Sequence, residues 1–118
     1  MEVSGTGRIA IYPLTTRVRI DIDGVVVADT LHAQELLESG YPPRLYVPRA
    51  DASMQYLIPS DTHTHCPFKG DASYFHIQIG ETRYEDAVWS YEHPLDGVTA
   101  IRGCLLFDPR FSEANVES

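Results

Sequence analysis

The sequence predicts a mostly β domain: a compact antiparallel β fold with one short helix. Three observations point there. Apolar and polar residues alternate with a period of two along Arg17 to Ile22 and again along Ala72 to Glu92, the pattern of half-buried strands. Asp23-Gly24 and Gly80-Glu81 separate pairs of such runs, and dipeptides of this kind accept the positive φ values of tight hairpin turns. Strands outnumber helices, without the strand-helix alternation that builds a parallel sheet.

Taken in order, Arg8 to Tyr12 reads as a first strand, ended by Pro13, which cannot donate to a ladder. Arg17 to Ile22 and Val25 to Ala28 form a hairpin about Asp23-Gly24. The helix is placed at Leu31 to Ser39, with Asp29 or Thr30 as N-cap, inward contacts from Ala33, Leu36 and Leu37, and Gly40 just past its end. Pro42-Pro43 forbids continuation, and Arg44 to Val47 is a short strand. Turns fill the Pro48 to Asp61 region around a buried Met54, Leu57 and Ile58. A long hairpin follows, from Ala72 to Ile79 and from Thr82 to about Glu92. Its first arm puts Phe75, Ile77 and Ile79 on one face and Tyr74 and His76 on the other, and its second arm groups Ala87, Trp89 and Tyr91. Ile101 to Phe107, interrupted by Gly103, is a last strand ending at Asp108-Pro109.

A chain of 118 residues has room for one core. We expect a single domain spanning 1–118, with its core between about 8 and 110, and with the first half-dozen residues and the 112–118 tail loose. A net charge of −8 repels a phosphate backbone, and the basic residues are scattered, so no nucleic-acid partner is expected. No apolar stretch approaches a membrane span, and the N-terminal residues lack the basic and apolar regions of a signal peptide. A cytoplasmic protein with no membrane partner is therefore expected, with Cys66 and Cys104 reduced.

Chemistry concentrates in Asp61-Thr62-His63-Thr64-His65-Cys66-Pro67-Phe68-Lys69-Gly70, which holds a thiol, two imidazoles and an amine. Such neighbours lower a thiol's pKa, so Cys66 is a candidate nucleophile with His65 or Lys69 as its activator, while the alternative is that Cys66 simply packs. Cys104, in an apolar run, reads as core. His63 and His65 share one face of an extended segment, but two ligands do not make a metal site. A third ligand would have to come from His76, His93 or Glu92, in no recognised zinc spacing, so neither a metal nor a cofactor is expected. Asp21 and Asp23 form the carboxylate pair with which a nucleotidyltransferase holds magnesium, yet the Asp-Gly turn accounts for the second of them. Arg44, Tyr46, Arg49, Tyr74, Trp89 and Tyr91, together with Tyr41, are candidates for a pocket that binds a small anionic or aromatic ligand. The competing reading places the aromatic residues in the core and pairs the arginines with local acids such as Asp51.

Tyr41-Pro42-Pro43-Arg44-Leu45-Tyr46-Val47-Pro48-Arg49, then Thr64 to Gly70 with Ala72, Tyr74 and Phe75, then Asp86-Ala87-Val88-Trp89-Ser90-Tyr91-Glu92 resemble the family called domain of unknown function 427. The resemblance runs from Arg8 to about Arg110. It implies a small bacterial-type β domain comparable to the β-tent folds, and one label of the family is nucleotidyltransferase-like. The family pattern carries over to Arg44, Tyr46, Arg49, Thr64, Cys66, Pro67, Lys69, Gly70, Trp89, Ser90 and Tyr91. His63 departs from it, and Phe68 stands where tyrosine is common, keeping the ring and losing the hydroxyl. Two functional classes follow: a non-catalytic ligand-binding module, or a small thiol-dependent enzyme built on Cys66 with Arg44 or Arg49 clamping an anion.

Overall fold

Asp23 and Gly24 adopt φ values of 52° and 81°, so the type I′ turn expected there closes a hairpin between β3 (Val18–Ile22) and β4 (Val25–Thr30). The chain's structure is a computed structural model that describes residues 4–6 and 9–112. Before the hairpin come β1 (Ser4–Thr6) and β2 (Ile9–Pro13), and after it β5 (Gln34–Glu38) and β6 (Arg44–Tyr46). Short 3₁₀ turns at Arg49–Asp51 and Met54–Tyr56 lead into β7 (Leu57–Cys66), β8 (Gly70–Ile79) and β9 (Thr82–Ser90). Another 3₁₀ turn at Thr99–Ile101 precedes β10 (Leu106–Phe107) and the single-turn helix α1 (Pro109–Ser112).

Among the described residues the strands form two four-stranded antiparallel sheets, β1-β2-β5-β6 and β10-β9-β8-β7, and the separate β3-β4 hairpin. The edge strands of the two larger sheets meet at one point. Val47 and Leu105 exchange both backbone hydrogen bonds, at 2.8 and 2.7 Å, which ties β6 to β10.

The core explains the layering. Side chains on one face of the β10-β9-β8-β7 sheet, including Ile77, Val88 and Phe107, pack with Val18, Ile20, Ile22 and Val27 of the hairpin. The opposite face offers Ala72, Tyr91 and Leu106, with Tyr74 and Trp89 half-buried beside them, to Ile9, Ile11, Leu36 and Tyr46 of the other sheet. Strand alternation sorts Leu106 from Phe107 and Tyr74 from Phe75 in this way, so one sheet serves two cores. Each fully buried aliphatic side chain adds roughly 1.5–3 kcal/mol.

The mostly β antiparallel fold holds, with one short helix, but not where it was placed. Residues 31–39 form no helix: Gln34–Glu38 is β5, paired with β2 on one side and β6 on the other. A nine-residue helix is marginal by itself, and two neighbouring strands satisfy its backbone better. The local signals served other purposes. Thr30 accepts a bond from the His32 N–H at 2.9 Å and donates to Asp51 at 2.7 Å, a side-chain turn rather than a helix cap. Gly40, at φ 87°, sits in the reversal in which the Tyr41 N–H reaches the Glu38 carbonyl. The helix that does form starts at Asp108-Pro109, whose carboxylate receives the Arg110 N–H at 3.1 Å, with proline in the first helical position.

Three further expectations are corrected. Ile101 to Phe107 is not one strand, because residues 99–101 turn and Gly103 adopts φ 70°, leaving β10 only two residues long. Ala87 joins the hairpin-side core instead of accompanying Trp89 and Tyr91, because Asp86, at φ 49°, marks a register shift opposite Phe75 and Ile77. Ser4–Thr6, expected to be loose, pairs with β2. The remainder of the two termini, residues 1–3, 7–8 and 113–118, lies outside the described residues.

Candidate functional site

The β7-β8 hairpin carries the Cys66 to Gly70 segment at its tip. Cys66 pairs with Gly70, and the Lys69 N–H closes the turn on the Cys66 carbonyl at 3.2 Å. Gly70 is required here for two reasons. Its φ is 116°, and a Cβ would come within 3.2 Å of the His93 carbonyl oxygen, because the 93–95 segment lies against the turn and the Leu95 N–H bonds the Lys69 carbonyl at 2.9 Å. A turn so constrained sends the Lys69 side chain inward. Its ammonium meets the Glu38 carboxylate at 3.1 Å, the two side chains being only 13% and 7% exposed, and it lies 5.9 Å from the centre of the Tyr91 ring.

Beside this ion pair, between the two four-stranded sheets, is a cavity of about 410 Å³. Leu36, Glu38 and Arg44 line it from β5 and β6, and Tyr41 and Pro42 from the loop between those strands. Cys66, Pro67, Phe68 and Lys69 line it from the hairpin tip, Tyr74 and Trp89 from β8 and β9, Tyr91 from just beyond β9, and Leu106 from β10. Tyr41 and Phe68, 60% and 43% exposed, stand at the mouth. Tyr74 and Trp89 form a tilted aromatic pair with centroids 5.8 Å apart, and the Tyr74 hydroxyl is held by Thr64 at 2.9 Å.

The charges are unevenly committed. Glu38 and Lys69 neutralise one another, whereas Arg44, half-buried in the wall, has no hydrogen-bond or ion-pair partner among the described residues. Tyr46 is fully buried, and its hydroxyl likewise has no hydrogen-bond partner among them. It lies within electrostatic reach of Tyr91, Arg44, Cys66 and Glu38, four residues of the cavity wall, and burial above all pushes its pKa far above the ordinary phenol value. The Tyr91 phenol is raised in the same direction, by burial first and then by Cys66, Tyr74 and Glu38. Both shifts favour the protonated phenols.

The fold thus brings Cys66, Lys69, Arg44, Tyr74, Trp89 and Tyr91 to one cavity, whereas Tyr46, expected among its lining, is fully buried in the core and does not line it. It does not bring His65 or Arg49 there. His65 follows strand alternation to the other face of β7, where Nδ1 meets Asp71 at 2.8 Å in open solvent. Arg49 is occupied elsewhere: it bonds the Gly103 carbonyl at 3.1 Å, Ser90 at 3.2 Å and Glu92 at 2.7 Å, and covers the Phe75 ring. Its acid is thus Glu92 and not Asp51. Cys104 is half-buried against the same core, and burial raises its thiol pKa, partly offset by Arg49. Glu38 and Leu36 are the wall residues missed by reading 31–39 as a helix; their spacing of two was the available signal.

The nucleotidyltransferase carboxylates are spent locally. Asp21 pairs with Arg19 at 3.1 Å, and Asp23 accepts the Tyr84 hydroxyl at 2.8 Å. His63 reaches Ser73 at 3.5 Å, and His76 Nδ1 accepts the Asp86 N–H at 3.0 Å. Among the described residues no three His, Cys, Asp or Glu side chains cluster as ligands of a metal ion would, and no helix is long and apolar enough to cross a membrane.

Fold and site together define an antiparallel β domain with a partly aromatic cavity between its two larger sheets, in whose wall Arg44 has no ion-pair partner among the described residues. The chain belongs to the DUF427 family, also called NTP_transf_9, a domain of unknown function whose profile matches residues 10–118. Among curated proteins none matches the chain.

Proposed function

We propose that this domain binds a small, planar, anionic ligand in the cavity beside Cys66, with the ligand's acidic group on Arg44 and its flat body between Tyr74, Trp89 and Phe68. One observation carries this reading: Arg44 is the cavity's only cation without a partner among the described residues, in a wall that also carries the rings of Tyr41, Phe68, Tyr74, Trp89 and Tyr91. An arginine in the cavity wall with no partner among the described residues forgoes strong charge-assisted bonds, and an acid that fits between aromatic rings supplies them. A volume of about 410 Å³ is of the size that takes a small molecule. The net charge of −8 argues against nucleic acid as the anion. A cytoplasmic setting belongs to the same reading, supported by two half-buried cysteines that are both free thiols.

The test uses benzoate as probe and the single tryptophan, Trp89, as reporter. Saturable quenching of Trp89 emission is expected, weakened about tenfold or more in Arg44→Gln, the loss of one charge-assisted contact. The unfolding midpoint of that variant should stay unchanged. Absence of saturable binding, or equal affinity in Arg44→Gln, overturns the reading.

Thiol chemistry is the second reading, favoured by the presence of Cys66 in the cavity wall. It needs an activating base, and of the two expected, His65 faces away and Lys69 is held by Glu38. Labelling of Cys66 by iodoacetamide near neutral pH much faster than an unstructured cysteine peptide supports this reading; an inert Cys66 removes it.

A further inference from the structure

The charged side chains around the cavity limit the charge of what can enter it. Among the described residues, Arg44, Lys69 and Glu38 are the lysine, arginine and acidic side chains of the lining, and the rest is aromatic or aliphatic, with two prolines and the Cys66 thiol. Lys69 and Glu38 meet at 3.1 Å and offset one another, which leaves one positive charge in the wall, on Arg44. Resting on the ligand-binding reading above, we infer that the cavity takes a monocarboxylate, a single carboxylate on a flat body, and turns away phosphate esters, nucleotides included.

The charges match for one acid and not for the other. A monocarboxylate brings one negative charge to the one positive charge of Arg44. A phosphate monoester carries about −1.5 to −2 near neutral pH, so part of its charge would enter the cavity without a counter-charge. Charge taken out of water and left unpaired is costly, and a chain of net charge −8 opposes it further. Lys69 could reach a phosphate only by releasing Glu38, a carboxylate whose side chain is 7% exposed and which would lose the ammonium.

The hydrogen-bond donors point the same way. A guanidinium fork matches both oxygens of a carboxylate, and the acid is then fully engaged. A phosphate monoester has a third terminal oxygen, of the kind that successive backbone N–H groups in a turn or at a helix N-terminus receive. The two turns that line this cavity present no such row. In one, the Tyr41 N–H bonds the Glu38 carbonyl and Pro42 has no N–H to give. In the other, Pro67 has none and the Lys69 N–H bonds the Cys66 carbonyl. No residue of the helix α1 is among those lining the cavity.

Benzoate and phenyl phosphate put the two acids on the same ring, and chemical-shift titration of the full chain at about pH 8, where the phosphate is a dianion, compares them. Benzoate is expected to bind about tenfold or more tightly than phenyl phosphate. Glu38→Gln adds one positive charge to the wall, and an added charge attracts a dianion twice as strongly as a monoanion at the same distance. Phenyl phosphate should therefore gain about the square of the factor that benzoate gains, and the preference should narrow. Equal or tighter binding of phenyl phosphate by the wild type overturns the monocarboxylate assignment while the anion pocket stands, and so does a preference that Glu38→Gln leaves unchanged. Should that variant fail to fold, the wild-type comparison decides by itself. If neither compound binds saturably, the pocket reading falls and the monocarboxylate with it.

Discussion

Replacing Lys69 by methionine removes the cation from the Glu38–Lys69 pair while keeping most of the side chain's apolar length. At 3.1 Å and an effective dielectric constant of about 20, the attraction between the two charges is about 5 kcal/mol. Desolvation of two side chains exposed by only 13% and 7% takes back much of this. What remains in Lys69→Met is a buried carboxylate that has lost the Lys69 ammonium, which costs about 3 kcal/mol. Glu38→Gln should cost less, since an amide is cheaper to bury than a carboxylate and still offers an acceptor to Lys69. Combining Lys69→Met with Glu38→Gln should then recover about 2 kcal/mol relative to the sum of the single changes, because the double variant buries neither charge of the pair. Urea unfolding of the four proteins at neutral pH measures the coupling, with equal m-values as the condition for comparing them. A coupling energy indistinguishable from zero would show that the pair does not act as a buried contact, and the argument that it spans the two sheets would fail.

Three other outcomes follow from the same geometry. Tyr46→Phe, which deletes a buried hydroxyl lacking a hydrogen-bond partner among the described residues, should raise stability by about 1 kcal/mol, and a loss of that size on chemical denaturation would refute the unsatisfied-hydroxyl account. Gly70→Ala should cost roughly 1–3 kcal/mol and more than Gly24→Ala, since both glycines have positive φ but only at Gly70 does a Cβ meet backbone, at 3.2 Å from the His93 oxygen; equal losses in the two variants would count against that contact. Asp86 accepts hydrogen bonds from Ser60 at 2.6 Å and Thr62 at 2.7 Å, which hold its carboxyl below the usual range. Its native pKa is depressed, so its contribution is complete above the unfolded value of about 4 and is lost as pH falls through the native one. Asp86→Asn should therefore flatten the acid limb of a stability–pH curve and leave its neutral region nearly level, and an unchanged acid limb would refute this role.

Much of this architecture was legible because its signals are local. Asp23-Gly24 and Gly80-Glu81 fix hairpins through φ alone, and the alternation through Tyr74, Phe75, His76 and Ile77 assigns faces without reference to anything distant. Residues 31–39 failed for the complementary reason. Leu36, Leu37 and Gly40 fit a helix with a C-terminal glycine and equally fit a strand followed by a turn, and only β2 and β6, more than twenty residues earlier and a few later in the chain, decide between them. The wall of the cavity was found where residue chemistry was unusual, at Arg44, Cys66, Lys69 and Trp89. It was missed at Glu38, which reads as an ordinary solvated acid until Lys69 is brought to it from the far side. Arg49 could not be separated from Arg44 in sequence, because which arginine already has a carboxylate depends on where Glu92 comes to lie.

The paired backbone bonds between Val47 and Leu105 work with the Glu38–Lys69 contact in a way that neither does alone. One acts as a spine along which two covers are bound, and the other as a clasp farther from that binding. A book held at spine and clasp admits a page and refuses a pebble. The gap between the covers is set at two separated points, one made by the backbone and the other by a buried ion pair. On the ligand-binding reading proposed above, substitutions at the mouth, at Tyr41 or Phe68, would alter how long a guest the slot accepts, whereas admitting a bulky one would require opening the clasp.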